Sequence, residues 1–84
     1  MQIFKINEDL EFTAESFSNR NSWGHKITAT YKGEDIQSQK TYYQNRTWER
    51  YQFQSALQRM VHKLDENHAN TVPLKDRILA YNQF

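Results

Sequence analysis

The chain has 84 residues, no cysteine and a formal net charge of +1 at pH 7. A chain of this length forms one domain with a small core, and the lack of cysteine excludes disulfides, thiolate metal ligands and thiol nucleophiles. The near-neutral charge argues against a strongly basic nucleic-acid binder and against an acidic mimic of DNA. The N-terminus lacks the pattern of a signal peptide, and no apolar stretch approaches the roughly 20 residues of a membrane span. We expect a single cytoplasmic domain, residues 1–84, that does not contact a membrane.

The charge is unevenly distributed along the chain. Residues 1–24 sum to −2, residues 25–64 to +4 and residues 65–84 to −1. The middle of the chain is therefore a modestly basic segment between acidic ends.

Two segments in the first half of the chain alternate apolar and polar residues, which is the period of a half-buried strand. They are LEFTAESF, residues 10–17, and HKITATYK, residues 25–32. QIFKI, residues 2–6, is a shorter strand candidate, and the turn signal KGED leads into a further strand that ends near residue 43. This half of the chain therefore predicts an antiparallel meander of three or four strands.

The pairing of the last two strands depends on which residues form their turn. With Gly33 and Glu34 as a two-residue loop, Tyr31 faces Ile36, and the alternation of the two strands agrees. One face is then apolar and contains Ile27, Ala29, Tyr31, Ile36 and Tyr42. The opposite face is polar and contains Lys26, Thr28, Thr30, Lys32, Gln37, Gln39, Thr41 and Tyr43.

The hydrophobic period changes to that of a helix after residue 44. Thr47 is predicted to cap a helix over residues 47–65. Its apolar stripe consists of Phe53, Ala56, Leu57, Met60 and Leu64, with Val61 at the margin. Pro73 predicts the start of a short second helix, in which Leu74, Ile78 and Tyr81 share a side. The predicted fold class is α+β, an antiparallel three- to four-stranded meander packed on one long helix, with a short C-terminal helix.

Trp48 and Tyr51 lie opposite the apolar stripe when each helical residue is advanced by 100°. One interpretation packs Trp48 against Trp23 beneath the loop of residues 18–24. The other makes both aromatic residues part of a partner-binding patch, because Trp, Tyr and Arg are enriched among interface hot spots. The members of this candidate patch are Arg46, Trp48, Arg50, Tyr51 and Arg59. The two interpretations can share residues.

The polar face of the sheet is an alternative site, for nucleic acid. Its Lys, Thr and Gln side chains suit a phosphate backbone or a groove, and its candidate contact residues are Lys26, Lys32, Lys40 and Tyr43. A solvated antiparallel face explains the same pattern, and the charge of the segment is modest for binding driven by counterion release. A further alternative is a homodimer in which Trp48, Tyr51 and Ser55 form a helix–helix contact.

Groupings typical of catalysis or metal binding are missing from the sequence. The three histidines lack ligand spacing, the paired acids lie at predicted turns or helix ends, and no serine lies in a nucleophile-elbow motif. The two glycines, Gly24 and Gly33, cannot form a phosphate-binding loop. We expect no enzymatic activity and no bound cofactor or metal.

The segment YYQNRTWERYQFQS, residues 42–55, resembles one found in small uncharacterised bacteriophage and prophage accessory proteins. In those proteins a strand ending in YYNRTWE runs into a helix with a YxFQS-like continuation, and WGHKITATYKG looks like the hairpin that precedes it. The resemblance covers residues 23–64, and Gln44 interrupts the YYN form. It implies an accessory protein that acts inside a bacterium, and it carries no activity or ligand to any residue.

Together, the resemblance and the candidate patch predict a protein that binds and modulates a host protein. Such a target is a defence or gene-expression component, and anti-CRISPR inhibitors are one class of this kind. For the nucleic-acid alternative, three strands followed by a helix resemble the arm-binding domains of tyrosine recombinases, which read DNA with the sheet. That likeness concerns the fold alone.

Overall fold

The computed structural model describes all residues, 1–84, as four strands followed by two helices. The elements in chain order are β1 (Gln2–Lys5), β2 (Leu10–Ser18), β3 (Trp23–Tyr31), β4 (Glu34–Tyr43), a 3-10 turn (Arg46–Trp48), α1 (Glu49–Asn67) and α2 (Leu74–Gln83). The strands form one antiparallel sheet in the order β1-β2-β3-β4, which confirms the predicted α+β meander. Neither helix combines the length and the apolar character that crossing a membrane requires.

The core lies between one face of the sheet and α1. The sheet contributes buried residues at the inward positions of β2 and β3, namely Leu10, Phe12, Ala14, Ile27, Ala29 and Tyr31. The contribution of α1 is Ala56, Leu57, Met60, Val61 and Leu64, as the helical period predicted, with Phe53 half-buried beside them. Each large apolar side chain that is fully buried stabilises the fold by about 1.5–3 kcal/mol. No element covers the opposite face of the sheet, which we call the open face.

The predicted register of β4 is wrong by one residue over most of the strand. Lys32 and Gly33, with φ of 51° and 83°, form the two-residue turn, so that Glu34 already pairs with Tyr31. Ile36 is then an extra residue, because Asp35 pairs with Thr30 and the next pair along the chain is Gln37 with Ala29. Because of this β-bulge, each later side chain of β4 lies on the face of the sheet opposite to the predicted one.

The bulge has a direct consequence for the end of β4. Thr41 and Tyr43 are buried on the core side, with 7% and 3% of their surfaces exposed, whereas Tyr42 is 55% exposed on the open face. The sequence predicts Tyr42 on the apolar face and Thr41 and Tyr43 on the polar face. All three assignments are wrong, because the bulge turns each side chain to the opposite face.

The helix ends also differ from the prediction. Asn45, not Thr47, caps the 3-10 turn, since its side-chain oxygen accepts a hydrogen bond from the Thr47 amide at 2.7 Å. In α2, Ala80 and Asp76 face the core, whereas the side shared by Leu74, Ile78 and Tyr81 is exposed. The α2 helix is thus joined to the domain through a narrow contact, which includes a 2.7 Å hydrogen bond from Asn7 Nδ2 to Asp76 Oδ1.

Candidate functional site

The start of α1 presents two large aromatic side chains to solvent. Trp48 is 58% exposed and Tyr51 is 70% exposed. The interpretation that packed Trp48 on Trp23 is wrong, because the guanidinium of Arg46 lies over the Trp23 ring at 5.3 Å. The 3-10 turn thus directs Arg46 to the sheet end and leaves Trp48 with most of its surface free.

The predicted patch separates into two groups. Trp48, Tyr51 and Arg59 are all exposed and lie on the side of α1 that faces away from the core, which we call the outer α1 face. Arg46 and Arg50 instead line a hollow between the helix start and the start of β3. None of these three arginines forms an ion pair. The two ion pairs of the protein join Lys63 to Glu66 and Arg77 to Asp65.

The hollow at the helix start contains His25, one of the side chains whose pKa is shifted by the fold. Its volume is about 260 Å³, and its lining residues are His25, Arg46, Glu49, Arg50 and Phe53. The His25 ring stacks on Phe53 with centroids 4.5 Å apart and a 29° angle between the planes. On its other side, Nδ1 of His25 lies 2.6 Å from the hydroxyl of Tyr43.

Burial controls the protonation of this pair. It lowers the pKa of His25, against the opposing effect of the Glu49 carboxylate and with a smaller lowering by the N-terminal ammonium. Burial and the nearby Glu49 raise the pKa of Tyr43 to about 12. His25 is therefore neutral and Tyr43 protonated at neutral pH, which allows the hydroxyl to donate to Nδ1 when the imidazole proton is on Nε2.

The residues predicted to contact nucleic acid are not gathered in one place. Lys26 and Lys40 are direct cross-strand partners on the open face, but Lys32 lies in the hairpin turn at the far end of β3. Tyr43 is buried on the other side of the sheet. Tyr42 takes its place beside the lysine pair.

Phe17 is a member of this region that the sequence analysis missed. Its ring meets Tyr42 edge-on at 5.4 Å, and the Lys40 ammonium lies 5.7 Å from its centroid. The signal was present in the sequence, because the alternation of β2 places Phe17 on the same side as Glu11, Thr13 and Glu15. The alternation of a half-buried strand predicts polar residues on this face. A large aromatic residue there indicates that its ring contacts another side chain on the same face.

A second polar cluster, also missed, joins the two helices. Tyr81 donates a 2.5 Å hydrogen bond to Asp65 Oδ2, and Arg77 donates at 2.7 Å to the other carboxylate oxygen. Nδ1 of His62 lies 2.9 Å from the Tyr81 hydroxyl. Hydrogen bonds to a charged carboxylate are stronger than those between neutral groups. This cluster of His62, Asp65, Arg77 and Tyr81 therefore holds α1 and α2 together, and we call it the clasp.

No group of three His, Asp or Glu side chains has the arrangement needed to hold a metal ion. Comparison of the chain with protein-family models, with curated proteins and with solved structures finds no match. The chemistry of the described surfaces is therefore the basis for assigning a role.

Proposed function

We propose that this chain is a binding protein, not an enzyme, and that its outer α1 face docks on another protein. The exposure of Trp48 and Tyr51 is the main support for this role. Aromatic side chains supply most of the energy of protein interfaces when they enter pockets of a partner. In the free protein, two such side chains near the start of one helix leave apolar surface exposed to water, which is unfavourable. Burial of that surface in a complex is therefore favourable.

The shape of the outer α1 face favours a protein partner. Trp48 projects from the 3-10 turn and Tyr51 from the first turn of α1, and neither lines any of the described hollows, so both suit insertion into a pocket on another molecule. Arg59 lies on the same side of α1, roughly 16 Å along the axis from Trp48 at 1.5 Å per residue, and forms no ion pair within the protein. It is available to pair with a carboxylate of the partner and fix the orientation of the complex.

The phage resemblance of residues 42–55 supports a host protein in the bacterial cytoplasm as the partner. Binding would then modulate the target by covering a surface that it needs, because the proposed contact residues include no catalytic grouping. A defence or gene-expression component is the expected class of target. Anti-CRISPR inhibitors illustrate the mode of action.

The test begins with capture of partners by the tagged protein from nuclease-treated bacterial lysate, followed by affinity measurement with the purified partner. Trp48→Ala is expected to raise Kd by roughly 30-fold or more, which corresponds to about 2 kcal/mol. Tyr42→Ala is the matched control, because it removes an exposed aromatic residue from a different surface. An unchanged Kd for Trp48→Ala with an intact fold would refute the proposal.

Self-association is a separate outcome of the same experiment. If the captured partner is a second copy of the chain, the outer α1 face is a homodimer seam and no host protein is involved. Sedimentation at increasing protein concentration distinguishes the two cases. A dimer that Trp48→Ala disrupts would replace the host-protein proposal.

A further inference from the structure

Three hollows adjoin at the end of the sheet where α1 begins. The first lies on the open face, has a volume of about 390 Å³ and includes Lys26, Lys40 and Tyr42 in its lining. It shares Ser16 and Phe17 with the second, of about 440 Å³, which lies over the end of β2 and the start of β3. The second shares His25, Arg46 and Glu49 with the hollow at the helix start. The three adjoining hollows form a row around this end of the sheet, which we call the terminal furrow.

Four cations line the terminal furrow from end to end. They are Lys26, Lys40, Arg46 and Arg50, and none is part of an ion pair. Two carboxylates, Glu15 and Glu49, also line it, so the furrow keeps an excess of positive charge. Lys26 and Lys40 are directly opposed across β3 and β4, an arrangement that disfavours the free fold through repulsion. A bound anion attracts both ammonium groups and offsets their mutual repulsion.

Aromatic rings lie among these cations in each of the three hollows. Tyr42 and Phe17 meet edge-on above Gly24 on the open face, with Tyr42 more than half exposed. Trp23 lines the middle of the furrow beneath the Arg46 guanidinium, and its buried indole N–H has no acceptor. Phe53 and the His25 ring that stacks on it close the far end. Proteins that bind single-stranded nucleic acid use this arrangement, a positively charged groove with aromatic rings on which bases stack.

We infer that the terminal furrow binds single-stranded nucleic acid, with phosphates against the lysine and arginine side chains and at least one base on the Tyr42 ring. A single strand fits because its unstacked bases expose their faces, whereas a duplex hides them. The inference is independent of the proposed protein-binding role. It uses a concave surface whose key residues are all outside the outer α1 face.

The test measures binding of a fluorescein-labelled oligothymidine of about 16 nucleotides by fluorescence anisotropy between about 50 and 200 mM salt. An oligouridine of equal length shows whether DNA or RNA is preferred. With four phosphate contacts, the slope of log K against log salt is expected near −2.8, since each contact on a single strand contributes about −0.7. Lys26→Ala/Lys40→Ala should halve that slope, and Lys26→Arg/Lys40→Arg should restore it.

The control variant Lys63→Ala/Lys75→Ala removes the same charge from exposed positions on the two helices. It should bind the oligonucleotide as the unmodified protein does, because both lysines lie outside the furrow. Equal weakening by the two double variants would show a general charge effect and refute the furrow. Tyr42→Ala should weaken binding several-fold without changing the slope, since base–aromatic stacking does not depend on counterions.

Two further results would also overturn the inference. One is the absence of binding at the lowest salt concentration, and the other is a duplex of the same length that binds as tightly as the single strand. Trp48→Ala/Tyr51→Ala should leave oligonucleotide affinity unchanged. The same variant should weaken the complex with the protein partner. The two binding measurements therefore test the terminal furrow and the outer α1 face separately.

Discussion

Nδ1 of His25 and the hydroxyl of Tyr43 lie 2.6 Å apart, although the two residues are not opposed in the sheet. His25 pairs with Thr41, and Tyr43 pairs with Trp23. The contact is diagonal across β3 and β4 on the core side, where long aromatic side chains bridge positions two residues apart. Because Phe53 of α1 stacks on the same imidazole, the pair joins the end of the sheet to the start of the helix.

Acidification is expected to weaken the fold through His25. Burial holds its pKa below the ordinary value of 6.5, so the unfolded chain takes up a proton at a higher pH than the folded protein. Stability from the neutral imidazole is therefore fully present above about pH 6.5 and is lost as the pH falls through the folded-state pKa. Urea unfolding at about pH 7.5 and about pH 5.5 measures the loss.

His25→Gln should flatten the pH dependence of the unfolding free energy over this range. His62→Gln is the comparison variant, because it removes an imidazole that contacts Tyr81 and not the His25–Tyr43 pair, so the dependence on pH that is due to His25 should remain. An NMR titration of the His25 ring provides the direct measurement. A folded-state pKa at or above 6.5 would contradict the expectation.

Gly24 is expected to tolerate no side chain. A Cβ at this position would overlap the backbone oxygen of Thr41 and lie 3.1 Å from the Phe17 ring. A backbone carbonyl cannot move aside as a side chain can, so Gly24→Ala should cost about 3 kcal/mol, the upper end of ordinary overpacking. Chemical denaturation of the two proteins measures this difference.

Gly33→Ala provides the comparison for that variant. Nothing lies within 4 Å of a Cβ at Gly33, but its φ of +83° is one that L residues rarely adopt. The cost should be about 1–2 kcal/mol, from backbone conformation alone. A smaller loss for Gly24→Ala than for Gly33→Ala would show that β3 and β4 separate easily at this point.

The sequence predicts the parts of the fold in which one residue period is unbroken. The alternation of Leu10 and Phe12 in β2, and the stripe from Ala56 to Leu64 in α1, place the right side chains in the core because burial of apolar surface favours one orientation. The register of β4 was not predictable in this way. It depends on the positive φ of Lys32, which residues other than glycine seldom adopt, and on the extra residue Ile36 in the bulge.

The candidate sites depend on that same register. Once β4 is shifted, Tyr43 turns inward to His25 and Tyr42 turns outward to Phe17, so the residues that form the terminal furrow come together only in three dimensions. The exposure of Trp48 was left open by the sequence, because it is decided by whether Arg46 or Trp48 covers Trp23. Helical periodicity carries no information about that choice.

Asn7 is expected to be essential for docking α2. Its side-chain oxygen accepts hydrogen bonds from the amides of Asp9 and Leu10, while its nitrogen donates to the carboxylate of Asp76 at 2.7 Å. Asp76 is only 3% exposed. Asn7→Asp keeps the acceptor that shapes the turn but replaces the donor with a second negative charge, so it should cost about 2–3 kcal/mol.

The dependence on pH separates this effect from loss of the turn. The cost of Asn7→Asp should shrink on acidification, because protonating either carboxylate removes the repulsion and restores a donor. Asn7→Ala loses both the turn contacts and the donor, so its cost should persist at acidic pH. Urea denaturation of the two variants at neutral and acidic pH makes the comparison, and a pH-independent cost for Asn7→Asp would contradict it.

Tyr81→Phe is expected to raise the pKa of Asp65. Burial acts to raise this pKa, but the hydrogen bonds from Tyr81 and Arg77 outweigh it and hold the pKa below its ordinary 3.8. Stability from the carboxylate is therefore present above about pH 3.8 and is lost as the pH falls through the folded-state value. Without the Tyr81 hydroxyl, that acid-dependent loss should be smaller.

An NMR titration of the Asp65 carboxyl in both proteins measures the change. At neutral pH Tyr81→Phe should cost less than about 1 kcal/mol, since the clasp is partly exposed and solvent screens it. Tyr51→Phe removes a hydroxyl from an exposed tyrosine that makes no hydrogen bond within the protein, and it should leave the titration unchanged. If Tyr81→Phe also left it unchanged, Arg77 alone would hold the carboxylate, and the hydroxyl would have no part in joining the helices.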